Sequence, residues 1–125
     1  MHTMAQSNRY YIDHHSEQAF KLNEKQLEQL KKLISIIRNG SYNEFISLLE
    51  KKGFQRNLLN VLVNGQTALH YSLLSGRSLA WSKQLIQNGA NPNIANGAGW
   101  HPIHLAAYSC SSETLSFILD CLGDY

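Results

Sequence analysis

The amino-acid sequence predicts an all-α fold: a solenoid of about three stacked helix–turn–helix units behind an N-terminal tail. Two observations carry this. Gly65-Gln66-Thr67-Ala68-Leu69-His70 recurs 34 residues later as Gly99-Trp100-His101-Pro102-Ile103-His104, and each copy opens a short amphipathic helix. A second helical segment follows each copy, Ser78 to Asn88 and then Ser111 to Leu122, with Gly89-Ala90-Asn91-Pro92-Asn93 as the turn between units. Units this short cannot bury an apolar face alone, so a fixed period of roughly 20–50 residues marks an array whose neighbours complete one another's core.

In chain order, residues 1–22 read as a flexible tail, with Tyr10-Tyr11-Ile12 an apolar knot in polar surroundings. The repeat domain spans 23–125, divided as a degenerate unit at 23–63 and two clearer ones at 64–96 and 97–125. Asn23 with Gln26 forms a capping box, and Leu27, Leu30, Leu33, Ile34 and Ile37 then recur at three- and four-residue steps as one apolar stripe. Asn39-Gly40 ends that helix. Ser41-x-x-Glu44 is a second capping box, opening a helix whose buried face is Phe45, Leu48 and Leu49. The connector from Gly53 to Asn64 is long and carries Leu58, Leu59, Val61, Leu62 and Val63, which are expected to fold back onto the stack.

The T-x-L-H entry, the period near 33 residues and the Gly-Ala-x-x-Asn turn resemble the ankyrin-repeat family. That resemblance gives Thr67 the task of capping free N–H groups at a helix start, with His70 bonded to it and to backbone. Leu69 and Leu73 take the inner face, with Ser72 small enough for a neighbouring helix to approach. Gly76 and Gly89 stand where the chain leaves a helix with positive φ. Pro102 suits a first helical position, and His104 repeats His70. Two departures stand out. His101 replaces the threonine, forfeiting the hydroxyl cap and its bond to His104, and Cys110 replaces the loop glycine, implying strain or an altered turn. The 34-residue spacing also implies one extra residue, placed between Gly76 and Leu85.

Composition and charge narrow the function. Net charge is +2; residues 1–56 hold nine Lys/Arg against six Asp/Glu, and residues 57–125 hold two against three. This is too weak for a nucleic-acid footprint, yet the N-terminal bias suits an acidic protein surface. No apolar run nears the roughly 18 residues of a membrane span, and Met1 to Phe20 lacks the apolar core of a secretory signal. An intracellular protein of the nucleus or cytoplasm is the expectation. Cys110 and Cys121 on one helix would stand about 16 Å apart, beyond disulfide reach, so reduced thiols are expected.

Catalytic and metal readings fail on composition. His101-x-x-His104 offers two ligands where zinc needs three or four, with Cys110 the one extra candidate, and His14-His15 is a bare pair in the tail. A Cys–His pair drawn from Cys110 or Cys121 with His104 has no orienting carboxylate or oxyanion turn. Gly97-Ala98-Gly99 lacks the Lys-Ser/Thr of a phosphate loop and belongs to the finger between repeats. No enzyme, cofactor, metal or small-molecule substrate is expected. Trp81 is assigned to the core, and Trp100, where an exposed polar residue is usual, to contact with a partner.

A narrower resemblance follows from the degenerate first repeat, Asn64-Gly-Gln-Thr-Ala-Leu-His70, and Ala95-Asn-Gly-Ala-Gly-Trp-His-Pro-Ile-His-Leu-Ala-Ala107 in so short a chain. Together they resemble the Notch-regulated ankyrin repeat proteins. The resemblance implies a non-catalytic module that docks on the Notch intracellular domain with its DNA-binding factor, extends the Notch ankyrin stack and damps transcription. It carries partner contact onto Trp100 and Ala107; His101 and Tyr108 join them as exposed neighbours. A stack ending at Gly123-Asp124-Tyr125 without a polar cap would invite a partner to stack there. Two other readings stand beside it: a regulatory subunit that binds a kinase or other enzyme, and a generic self-associating scaffold.

Overall fold

The computed structural model describes residues 10–13, 18–109 and 111–123, with side chains described from Leu22 onward. Its repeat region is helical throughout. α1 (Glu24–Asn39) and α2 (Tyr42–Glu50) form the first hairpin, and a 3₁₀ turn at Arg56–Asn60 leads to α3 (Ala68–Leu74) and α4 (Leu79–Gln87). α5 (Pro102–Ser109) and α6 (Ser112–Leu122) complete the third unit. α1 packs on α3 and α3 on α5 as one layer, while α2, α4 and α6 pair with them as the other. Among the described residues, no helix is long and apolar enough to cross a membrane.

The start of the chain departs from the flexible tail expected for residues 1–22. Tyr10–Asp13 (β1) and Gln18–Lys21 (β2) pair antiparallel, with Tyr11 opposite Phe20 and Ile12 opposite Ala19. The physical reason is the local residue choice, since aromatic and β-branched residues favour a pleated ribbon over a helix. Leu22 then enters the core at 2% exposure, so packing begins just ahead of the Asn23 boundary. His14, His15, Cys110, Asp124 and Tyr125 lie outside the described residues, and the expectations attached to them go no further.

Local rules set the helix ends. Asn23 and Ser41 each accept the backbone N–H three residues on, while Gln26 and Glu44 reach back, closing both capping boxes. The α1 stripe buries Leu30, Leu33, Ile34, Ile36 and Ile37, and α2 buries Phe45, Leu48 and Leu49. Each such side chain contributes about 1.5–3 kcal/mol of transfer free energy. The connector folds back: Leu58, Leu59 and Val61 are all core residues. Ser111 caps α6 through the Thr114 N–H, whereas Ser78 occupies the cap position of α4 without a side-chain bond.

The extra residue is Arg77. Ser78 to Leu85 and Ser111 to Ile118 are equal intervals, so the insertion falls in the turn between Gly76 and the cap. From there the guanidinium crosses to the first unit. Nε donates to the Ile37 carbonyl at 2.7 Å, and Nη2 to the carbonyls of Gly40 at 2.7 Å and Ile36 at 3.3 Å. A cation thus lies against the carbonyls at the negative end of α1, where Ile36 also accepts the Gly40 N–H at 2.7 Å. Its planar face also lies over the Trp81 ring, 4.2 Å from the centroid. Trp81 is a core residue that stacks on Phe45 at 4.4 Å and meets Tyr42 edge-on at 5.7 Å, joining α4 to α2.

Candidate protein-docking surface

The seam between the second and third units shows how one unit reads the next. Thr67 Oγ1 accepts the His70 N–H at 3.3 Å and lies 2.7 Å from Nδ1, which also accepts the Thr67 N–H at 3.2 Å. With Nδ1 accepting, the ring's proton sits on Nε2, which donates to the Trp100 carbonyl at 3.0 Å. His70 is fully buried, and the neutral imidazole bridges two units from inside the stack.

The fingers that join the units are backbone constructions. Asn64 and Gly65 have φ of 52° and 83°, between reciprocal Val63–Gln66 bonds of 2.8 and 3.1 Å. This is an Asn-Gly hairpin turn, which needs positive φ at both positions. Tyr71 Oη donates to the Val63 carbonyl at 2.8 Å, anchoring the turn to α3. Burial raises the Tyr71 pKa, opposed by the charge of Arg38 and a bond with Asn64, so the phenol keeps the proton it donates. The Gly97 N–H then donates to the Gly65 carbonyl at 2.8 Å, so the next finger lies directly on this one. A Cβ on Gly97 would come within 3.3 Å of the Gly65 Cα.

Trp100 is presented by this second finger. Asn96 Oδ1 accepts the N–H groups of Ala98 at 3.0 Å and Trp100 at 2.8 Å, and the Asn96 N–H returns to the Trp100 carbonyl at 2.8 Å. Asn96 Nδ2 reaches Gln66 Oε1 at 3.1 Å. The backbone of Trp100 is therefore held on both sides, while the residue as a whole stays 47% exposed. The ring meets His104 edge-on at 5.9 Å, and His104 meets His101 likewise at 5.4 Å.

The remaining candidates share this face. Ala107 and Tyr108 are exposed on the last turn of α5, Tyr108 at 85%, and His101 is half-buried. Positions 101, 104 and 108 recur at three and four residues, which places them on one side of the helix. Leu74 holds on α3 the place of Tyr108 on α5, and is also exposed. His104 Nδ1 still accepts the His101 N–H at 3.0 Å, so the backbone half of the Thr–His arrangement survives without the threonine. The hydroxyl half is gone, since an imidazole stands in its place.

The repeat-motif residues are elsewhere. Thr67, Leu69, His70 and Pro102 are buried within the stack. Gly76 and Gly89 end α3 and α4 at φ of 70° and 112°. Three polar residues that organise the units were not singled out from sequence. Asn60 accepts the Asn91 N–H at 2.7 Å and donates to the Gly89 carbonyl at 3.0 Å, tying the connector to the following turn. Arg77 left a trace as the one-residue excess after Gly76, Asn96 as the asparagine in the Ala-Asn-Gly-Ala-Gly-Trp stretch, and Asn60 none.

The family model for ankyrin repeats matches residues 16–125 in three copies. The chain belongs to the ankyrin-repeat family. Ankyrin repeats are protein-interaction modules, typically without catalysis of their own. The chain is similar to the Notch-regulated ankyrin repeat-containing protein of Xenopus laevis, 34% identical over 84 residues covering 66% of this chain and 73% of that one. The Homo sapiens protein of the same name is 32% identical over the same shares. The inactive serine/threonine-protein kinase TEX14 of Bos taurus is 36% identical over 70% of this chain but 6% of that one.

Proposed function

We propose that this ankyrin protein is a non-catalytic docking module whose α5 face is read by another protein. The partner we assign is the Notch intracellular domain assembled with its DNA-binding factor, and the outcome is attenuated transcription, with the protein acting in the nucleus or cytoplasm. The observation that carries the reading is the half-exposed Trp100 on a backbone held by Asn96 and His70. A rigid aromatic with its polar neighbours already satisfied binds with little ordering cost, as interface anchors do.

The difference between equivalent histidines supports stacking as the mode. His70 is sealed by the third unit, whereas His104, at the same place on α5, is exposed. A repeat from the partner laid on α5 would cover His104, Ala107 and Tyr108 as α5 covers α3. The similarity to Notch-regulated ankyrin repeat-containing proteins supports the choice of partner.

Biolayer interferometry against the purified Notch assembly tests this. Trp100→Glu is expected to weaken binding by at least about 30-fold, the loss of one hot spot, with helical content and melting temperature unchanged. If the variant unfolds, Trp100 is a packing residue and the site is misassigned. If the parent protein ignores the Notch assembly and instead binds a kinase, or scatters light as a dimer at micromolar concentration, the partner assignment falls.

A further inference from the structure

The first unit carries a second surface, built without any residue of the units that hold Trp100. We propose that the seam between α1 and α2 is a docking groove for an acidic, amphipathic segment of a partner protein, one with bulky apolar side chains set between its carboxylates. Two cavities of about 580 Å³ and about 360 Å³ lie along this seam and share Lys32, Leu48 and Lys51, so they form one continuous groove. Its floor is apolar: Ile36, Leu48 and the half-buried Phe54. Its rim is cationic, with Lys25, Lys31 and Lys32 from α1 and Lys51 from the end of α2, all exposed.

Spacing makes this a track rather than a scatter of charge. Positions 25, 29, 32 and 36 step by three and four, so they run along one face of α1. From Lys25 to Ile36 the helix rises about 16 Å, room for about eleven residues of helix or five of extended chain. Among the described residues these four ammonium groups make no ion pair, and they outnumber the two carboxylates of the groove, Glu28 and Glu44. Carboxylates arriving from a partner would balance that excess while apolar side chains cover the floor.

The same groove disfavours a nucleic-acid backbone. Glu28 and Glu44 stand on its walls, and the Glu44 carboxylate is held there by the Ser41 N–H at 2.8 Å. A run of phosphates would meet those two carboxylates and leave the floor wet. A mixed acidic and apolar peptide can set apolar side chains, rather than an anion at every step, opposite those two carboxylates while covering the floor.

The test uses the full chain and a fluorescent peptide of about twelve residues, matched to the groove length, with Asp/Glu throughout and Leu or Phe at four-residue steps. Anisotropy should show saturable binding that weakens with salt. Lys32→Glu/Lys51→Glu should weaken it by about tenfold or more, with circular dichroism and melting temperature unchanged, since both side chains are exposed. Should the double reversal fail to fold, Lys32→Gln/Lys51→Gln is expected to show a smaller loss in the same direction. Lys83→Glu, outside the groove, and Trp100→Glu should bind the peptide like the parent, which separates this surface from the α5 face. Absence of binding overturns the proposal. So does equal binding of a polyglutamate of the same charge, or equal competition by duplex DNA.

Discussion

Replacing Arg77 by alanine should lower the stability of the whole repeat domain by about 2–4 kcal/mol. The guanidinium makes three bonds to the last carbonyls of α1 and lies 4.2 Å from the Trp81 centroid. Hydrogen bonds to a charged group contribute about 1.5–3 kcal/mol each when buried. Arg77 is only half-buried, and water can reach helix-end carbonyls once it is gone, so about 0.5–1 kcal/mol per bond is the usable figure. The cation–π contact adds about 0.5–1 kcal/mol. At about 4–8 °C per kcal/mol for a domain of this size, the melting temperature should fall by about 8–32 °C. Urea denaturation followed by far-ultraviolet circular dichroism measures this, with an unchanged slope indicating that the same surface unfolds. Arg77→Lys should recover less than half of the loss, because an ammonium cannot span three carbonyls and stack at once. A change within about 0.5 kcal/mol for Arg77→Ala, the range of an ordinary surface substitution, would refute the claim that the inserted residue joins the first two units.

Two further outcomes follow from the hydrogen bonds. Asn60→Ala removes the partner of the Gly89 carbonyl and of the Asn91 N–H in a partly buried turn, so equilibrium denaturation should show a loss of about 1–2 kcal/mol; a neutral result would mean that water replaces the side chain. His101→Thr should restore the hydroxyl cap of α5 that Thr67 provides for α3. A gain of about 1 kcal/mol in the same assay is expected, and a loss would show that the His101–His104 ring contact outweighs the cap.

Much of the architecture was legible because local signals and tertiary packing agree. The capping boxes at Asn23 and Ser41, the α1 stripe and the T-x-L-H entry all set helix starts within the chain's own neighbourhood. The strand pair at Tyr10–Asp13 and Gln18–Lys21 was not legible. Four-residue runs such as these, with one or two aromatics each, give too little periodicity to separate a ribbon from a loop. Of the α5 face, the exposure of Trp100 could be anticipated from its place after a finger glycine. What holds it could not: Asn96 acts within its own loop, but His70 reaches the Trp100 carbonyl from 30 residues away. Arg77 shows the same limit, since a length excess locates an insertion without saying where a long side chain will land. The α1–α2 groove was visible only as a mild N-terminal excess of lysine, because the apolar floor that gives the charge its meaning comes from two separate helices.

The contact between Gly65 and Gly97 has a consequence for how the surface can vary. Main chain meets main chain there, with no side chain between, so at this point the spacing of the second and third units is a matter of peptide geometry. Residues at 98 or 101 can change what the finger displays without touching that contact. Trp100, three residues beyond the contact, inherits a fixed address that drift in its neighbours leaves alone.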